Sequence, residues 1–223
     1  NWTQGSNPPG TKFQAELAAH PSFTSVIQTS VTLKATAFFA GLSVNTTYYI
    51  RTQAINIQGE RTAFTELGST STLTNKPLTI NPVFSEVKIN SMAMQWNPSD
   101  NPLGTMFVTE ISSVSGFEPI AGSSSTVLSA AMFENLTPNT TYYARAKARS
   151  HAGADTAYTL LGSTVTKANP VLALAFSFVS TAAIAGNWTP SANPPGTRYK
   201  ALLALNPSFN TIAKTSVTLN TTA

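Results

Sequence analysis

Few side chains in this sequence are placed for acid–base, nucleophilic or metal chemistry. The two histidines, His20 and His151, sit in predicted turns with no second histidine, cysteine or carboxylate at ligand spacing, and metal binding or acid–base catalysis needs such partners. The nine Asp and Glu residues are dispersed, cysteine is absent, and no Gly-x-Ser-x-Gly elbow surrounds any serine. The sequence therefore predicts no catalytic residue, no cofactor site and no metal site.

Tryptophans offer a second kind of chemistry, the stacking of an indole ring on a sugar. Trp2, Trp96 and Trp188 lie 94 and then 92 residues apart. Such regular spacing is typical of one structural position in a repeated unit. We therefore expect these rings in repeated cores and not on sugar-binding surfaces.

The segments around the tryptophans recur in the same register. Three motifs repeat, at residues 7–11, 101–105 and 193–197 (Asn-Pro-x-Gly-Thr), at 42–51 and 136–145 (Asn-Thr-Thr-Tyr-Tyr), and at 62–70 and 156–164 (Leu-Gly-Ser-Thr). Proline-containing joints at 75–77 and 169–170 separate them. The predicted modules are residues 1–74, 75–168 and 169–223.

Each repeat has the pattern of an all-β sandwich. Short alternating runs are broken by Pro, Gly, Asn or Ser at intervals of about 8–12 residues, and helical periodicity is not sustained. The second repeat predicts seven strands, at residues 83–87, 89–96, 106–112, 117–121, 126–133, 141–150 and 156–166.

The order of landmarks in the second repeat resembles the fibronectin type III family. A tryptophan ends the second strand, an aromatic residue lies in the third, and Leu-Thr-Pro-Asn-Thr-Thr-Tyr spans residues 136–142. The resemblance implies tandem immunoglobulin-like sandwiches arranged end to end, with Tyr142 as the corner tyrosine whose hydroxyl bonds back to the preceding loop. Tyr48 matches it in the first repeat, although Val44 replaces the proline.

Strand alternation sorts the aromatic and charged residues into two faces. The predicted structural core contains Trp2, Trp96, Trp188, Tyr48 and Tyr142. A candidate contact stripe on the outer face, here called the Tyr/Arg stripe, contains Tyr49, Arg51, Tyr143 and Arg145. Tyr and Arg are enriched in interface hot spots, but packing on the module's own sheet explains the stripe as well.

The neighbouring strands of the family's sheet imply ion pairs across that outer face. Glu110 would face Arg145, and Glu16 would face Arg51, each pair contributing a few tenths to about 1 kcal/mol. The third repeat has Leu202 at the position of the glutamate, so we expect no such pair there.

Composition excludes several classes of partner. Residues are 42% hydrophobic but only 10% charged, and the net charge of +4 comes from scattered residues. Without a Lys/Arg cluster or about 18 consecutive apolar residues, we expect neither nucleic-acid binding nor membrane insertion. Asn-x-Ser/Thr triplets, including those at Asn45 and Asn139, would be glycosylation acceptors only in a eukaryotic secretory pathway.

The register also leaves the outer modules short of strands. Residues 1–74 lack an opening strand, and residues 169–223 lack the last two. We expect the chain to continue in both directions; the alternative is that neighbouring chains supply strands in a fibre.

Three functions fit these features. The first is an extracellular structural role as a stiff rod, stalk or filament shaft, because the array resembles bacterial cell-surface repeats of fibronectin type III-like modules. The second is adhesion, with the Tyr/Arg stripe or loops binding a host protein or glycan. The third is a spacer in a large secreted carbohydrate-active enzyme.

Overall fold

The structure, a computed structural model, describes residues 1–222, apart from the side chain at position 174; residue 223, the predicted end of the third module, lies outside the described residues. Within that range all regular structure is β. The strands are β1 (Lys12–Ala18), β2 (Val26–Thr32), β3 (Thr47–Ile55), β4 (Thr65–Ser71), β5 (Phe84–Ser85), β6 (Met92–Gln95), β7 (Met106–Ser112), β8 (Gly122–Thr126), β9 (Ala130–Phe133), β10 (Thr141–Arg149), β11 (Thr159–Val165), β12 (Leu172–Val179), β13 (Ile184–Thr189), β14 (Tyr199–Ala204) and β15 (Ile212–Thr218).

The second module is a two-layer antiparallel sandwich. One sheet has the order β5-β6-β9 and the other the order β11-β10-β7-β8. Alternate residues of β7 and β10 face the first sheet, because successive side chains of a strand point to opposite faces. The core between the sheets includes Met92, Met94, Trp96, Phe107, Ile111, Phe133, Leu136, Tyr142, Ala144 and Leu161.

The first and third modules repeat parts of this plan. Residues 1–74 form one four-stranded sheet in the order β2-β1-β3-β4, and residues from 169 onward form the hairpins β12-β13 and β14-β15. The amide of each tryptophan, Trp2, Trp96 and Trp188, donates to an equivalent carbonyl across the module, those of Ala35, Ser129 and Thr221. The backbone around the tryptophan is therefore hydrogen-bonded in the same way in all three modules.

One predicted strand is wrong. The segment at 117–121 is irregular, with a bend at Pro119, and the strand that pairs with β7 begins at Gly122. Phe117 has φ of 61°, a left-handed backbone that cannot continue a strand, and Pro119 has no amide to donate. Predicted strand 126–133 is also two elements, since residues 127–129 turn between β8 and β9.

Candidate functional site

The core aromatic residues differ in how deeply they lie. Trp96 is 2% exposed, and Tyr142 and Tyr48 are buried, whereas Trp2 and Trp188 are half-buried. Trp96 lies between two sheets, while the second layer over the other two indoles is partial in the described residues. Each indole nevertheless contacts an aromatic residue of the next strand at a centroid distance of 5.7–5.8 Å, edge-on for Trp2 and Trp96 and tilted for Trp188.

Both tyrosines have the geometry of the corner residue. The hydroxyl oxygen of Tyr142 accepts a hydrogen bond from the Thr137 amide at 3.0 Å. That of Tyr48 accepts one from the Ser43 amide at 2.9 Å. Each bond joins the start of a strand to the loop before it, and the replacement of proline by Val44 does not prevent it.

The arginine of the second module's stripe is held inside its own module. Its guanidinium carbon lies 4.2 Å from the ring centroid of Phe117 and 4.1 Å from that of Tyr158. Arg145 Nη2 and Nε lie 2.6 and 2.8 Å from Glu110 Oε2, and the Tyr158 hydroxyl donates to Oε1 at 2.8 Å. A planar cation between two rings and a carboxylate satisfies both its charge and its donors.

The first module has the same arginine stack, but a different residue is the second donor to the glutamate. Arg51 lies 4.3 and 4.0 Å from the rings of Phe23 and Phe64, and its Nη2 lies 2.7 Å from Glu16 Oε2. Phe64 has no hydroxyl, and Gln14 Nε2 donates to Glu16 Oε1 at 2.8 Å instead. Both predicted cross-strand ion pairs are confirmed. In each module the glutamate accepts from an arginine and from one uncharged side chain.

The stacks reduce what the Tyr/Arg stripe has free for a ligand. Tyr49, Tyr143, Arg51 and Arg145 are all half-buried. Both guanidinium groups already contact two rings and a carboxylate. The stripe is therefore placed to stabilise the outer face of each sheet, and the Arg51 and Arg145 side chains are only 25% and 24% exposed.

A charged cluster lies beside the second stack. Asp155 accepts from Arg149 at 2.6 and 3.0 Å and lies 2.7 Å from Lys147 Nζ. Hydrogen bonds from Arg149 and then Lys147 hold the pKa of the Asp155 carboxyl well below its usual range. Burial, followed by the hydrogen bond to Glu110, raises the pKa of Tyr158. The Asp155 shift follows from ion pairing and the Tyr158 shift mainly from burial, and neither needs a ligand.

The two histidines do not join a catalytic group. His20 Nδ1 lies 2.7 Å from the Ser22 hydroxyl in an exposed turn, and the His151 side chain is exposed. In the part of the chain that the structure describes, no group of three or more His, Cys, Asp or Glu residues could hold a metal ion.

The joint between the first two modules contains the most deeply buried polar contacts that link modules. Asn45 is 0% exposed; its Nδ2 donates to Thr105 Oγ1 at 2.8 Å, and its Oδ1 accepts from the His151 amide at 2.8 Å. The Ser71 hydroxyl also accepts from the Ala152 amide. One end of the first module is therefore bonded to two loops of the second.

The linker at this joint is held by a second asparagine. Asn101 Oδ1 accepts from the Asn75 amide, and Asn101 Nδ2 donates to the Asn75 carbonyl, both at 2.8 Å. This side chain thus pairs with both backbone groups of one linker residue, as a neighbouring strand would. Together with Pro77, which restricts the backbone, it fixes where the second module starts.

The second joint uses the equivalent residues. Asn139 Nδ2 donates to Thr197 Oγ1 at 2.8 Å. Asn193 accepts from the Asn169 amide at 2.7 Å and donates to its carbonyl at 2.9 Å. The asparagine–threonine bond and the paired bonds to the linker recur at both joints, so this arrangement, here called the asparagine clamp, belongs to the repeat.

Sequence reasoning missed the clamp. The motifs that contain Asn45, Asn139 and residues 101–105 predict a repeat, and the two asparagines are otherwise noted only as glycosylation triplets. The signal was present, because the asparagine of Asn-Thr-Thr-Tyr-Tyr and the threonine of Asn-Pro-x-Gly-Thr recur in register. The repeat register alone does not predict that the asparagine of one module hydrogen-bonds to the threonine of the next.

Comparisons with known proteins show similarity only to solved structures. No family model and no curated protein sequence matches the chain. The FN1–FN3 domains of chicken CNTN1 match at 12% identity with a TM-score of 0.36, over 70% of this chain and 56% of theirs. Titin domains A168–A170 match at 16% identity and a TM-score of 0.36, over 55% of this chain and 41% of that one. A redesigned β-sandwich protein matches at 19% identity and a TM-score of 0.33, over 43% of this chain and 92% of that one.

The sheets, register and corner tyrosines define the fold class. The chain is all-β, made of tandem immunoglobulin-like, fibronectin type III-like sandwich modules. Among residues 1–222 there is no helix of the length and apolarity that a bilayer crossing requires.

Proposed function

We propose that this chain is an extracellular structural repeat protein whose modules form the stiff shaft of a rod, stalk or filament on a bacterial surface. The asparagine clamp is the observation that carries the proposal. At two successive joints, an asparagine Nδ2 donates to a threonine Oγ1 of the next module. When each repeat contacts its neighbour in the same way, the orientation between neighbours is repeated along the whole array.

Burial at the joint supports stiffness. Asn45 and Thr105 are 0% and 1% exposed, so opening the joint would break hydrogen bonds shielded from water. Exchanging each of these bonds for bonds to water costs about 0.5–1.5 kcal/mol net. Short proline-containing linkers add to this cost of bending, because they have few alternative backbone states.

Composition supports a location outside the cell and contact with neighbouring copies. Only 10% of residues are charged, and both the exposed strand β4 and the half-exposed strand β8 are rich in Ser and Thr. Such faces have little charge repulsion to keep copies of a filament apart. Antibodies against the chain should therefore label intact, unpermeabilised cells; labelling only after permeabilisation would contradict the extracellular location.

Adhesion is the competing role, and the stripe geometry does not favour it. The two arginines that would act as hot spots are committed to rings and carboxylates of their own modules. The full chain should bind no member of a glycan or host-protein array above background. Reproducible binding that Tyr143→Ala abolishes would support adhesion instead.

The shaft itself is tested by shape. Small-angle scattering of the 223-residue chain, together with electron micrographs of the native protein, should give extended particles. The double variant Asn45→Gly/Asn139→Gly, which permits the positive φ of both residues but removes both asparagine–threonine bonds, should scatter as a more flexible chain. Compact globular particles from the unaltered protein would refute the proposal.

A further inference from the structure

A third copy of the clamp's receiving surface lies on the first module. In the second module, two loops contact the asparagine-bearing end of the first module. They are residues 101–105 and residues 150–154. Their equivalents in the first module are residues 7–11 and 56–60. Residues 7–11 line one open cleft of about 540 Å³ together with Asn56, Ile57 and Glu60.

The receiving loop is already formed without an occupant. Asn7 Nδ2 donates to the Gln4 carbonyl at 2.7 Å, and Thr11 Oγ1 donates to the Pro8 carbonyl at 2.8 Å. The occupied loop has the same two bonds, from Asn101 and Thr105, at 2.7 and 2.8 Å. Because the Thr11 hydroxyl donates inward, its lone pairs are free to accept, as those of Thr105 accept from Asn45.

The second receiving loop has also been formed. The Asn56 amide donates to the Glu60 carbonyl at 2.9 Å, as Ser150 donates to Ala154 at 2.8 Å. Ile57 matches His151, whose amide binds Asn45 Oδ1. Among the bonds of residues 1–222, none uses the Ile57 amide, and the Ile57 side chain is 95% exposed.

We infer that this cleft binds the asparagine-bearing end of another module of the same repeat, joined ahead of it by the same kind of linker. Two occupied copies of the threonine loop, at Thr105 and Thr197, and one occupied copy of the second loop, at His151, give the chemistry of the occupant. It is an amide side chain that donates to Thr11 Oγ1 and accepts from the Ile57 amide. We infer a covalent linker because Asn7 is equivalent to Asn101 and Asn193, each of which pairs with both backbone groups of a residue in the linker before it.

The repeat supplies its own test protein. Since Asn1 matches Gln95 in register, placing residues 1–94 ahead of residue 1 continues the array without a change of spacing. In this extended chain, Asn45 of the added module should reach Thr11 and Ile57 of the original one. The readout is amide hydrogen exchange by NMR, with His151 as an internal reference in the existing joint.

We expect the Ile57 amide to exchange rapidly in the 223-residue chain and at least about tenfold more slowly in the extended chain, as one new buried hydrogen bond would give. The change Asn45→Gly in the added module only should return Ile57 to rapid exchange while His151 stays slow. Thr11→Val, which removes the acceptor and keeps the shape, should also weaken the protection.

Two results would overturn the inference. The first is rapid exchange of Ile57 in the extended chain while His151 is protected, which would show that the cleft takes no module. The second is protection of Ile57 in the 223-residue chain that rises with protein concentration, which would show that a second copy occupies the cleft instead.

Discussion

At the residue scale, the arginine stack is the feature whose energy can be measured most simply. Arg145 contacts two rings and a carboxylate. Arg145→Lys keeps the charge but loses the planar group that fits between rings. We expect it to lower the free energy of unfolding by about 0.5–2 kcal/mol, measured by urea denaturation. Arg149→Lys, outside the stack, is the matched control, and equal losses from both changes would contradict a special role for stacking.

Asp155 makes a second residue-scale prediction, on pH. Its carboxyl has a pKa below the 3.8 of an unperturbed group, so it binds protons less readily when folded. Its stabilising effect is therefore present above about pH 4 and is lost as pH falls below that value. Asp155→Asn should cost at most about 1 kcal/mol at pH 7, as for a surface ion pair, and the difference should shrink at pH 2–3. A cost that stays constant with pH would show that ion pairing is not its source.

The corner tyrosines give a third prediction at this scale. Tyr142→Phe removes one acceptor and leaves the Thr137 amide without its protein partner. The expected loss is about 1 kcal/mol of unfolding free energy, and Tyr143→Phe on the outer face should change stability far less. Both are measured by thermal unfolding, and an equal effect at the two positions would contradict the assignment of the corner.

At the element scale, the recurring Leu-Gly-Ser-Thr segment sets the register of the last strand. Gly162 has φ of 110° and lies at the bulge where pairing of β10 with β11 shifts between Ala144 and Arg145. A side chain at Gly162 would meet only Phe84, at 4.0 Å, so the penalty is in the backbone. Gly162→Ala should destabilise the protein by about 1 kcal/mol or more. Ser163→Ala is the control, and no loss on Gly162→Ala would show that the bulge does not need the left-handed region.

The sequence allowed the strands with strong alternation to be predicted, and β7 was predicted at its observed bounds. The wrong strand at 117–121 shows where local patterns fail, because the apolar Phe117 reads as a strand residue. In the structure it turns back at positive φ to lie over Arg145. That position depends on a partner 28 residues away in the chain, and alternation contains no such information.

At the scale of the whole molecule, the asparagine clamp could not be predicted because it too depends on partners that are distant in the chain. Asn45 and His151 are 106 residues apart and belong to different modules, so their contact depends on how modules meet. The repeat register identifies the two motifs that take part, Asn-Thr-Thr-Tyr-Tyr and Asn-Pro-x-Gly-Thr. It does not show that they contact each other. The faces within a module were predictable because a strand's period fixes them, whereas the joint is set by long-range geometry.

The central claim is that the asparagine clamp fixes the angle between modules. Since the chain has no cysteine, spin labels can be placed at Ser69→Cys and Ser163→Cys, equivalent exposed positions of the first two modules. Pulsed electron paramagnetic resonance would then give the distribution of distances between them. We expect one narrow distribution that broadens when Asn45→Gly is added; a broad distribution without that change, or one that the change leaves narrow, would contradict the claim.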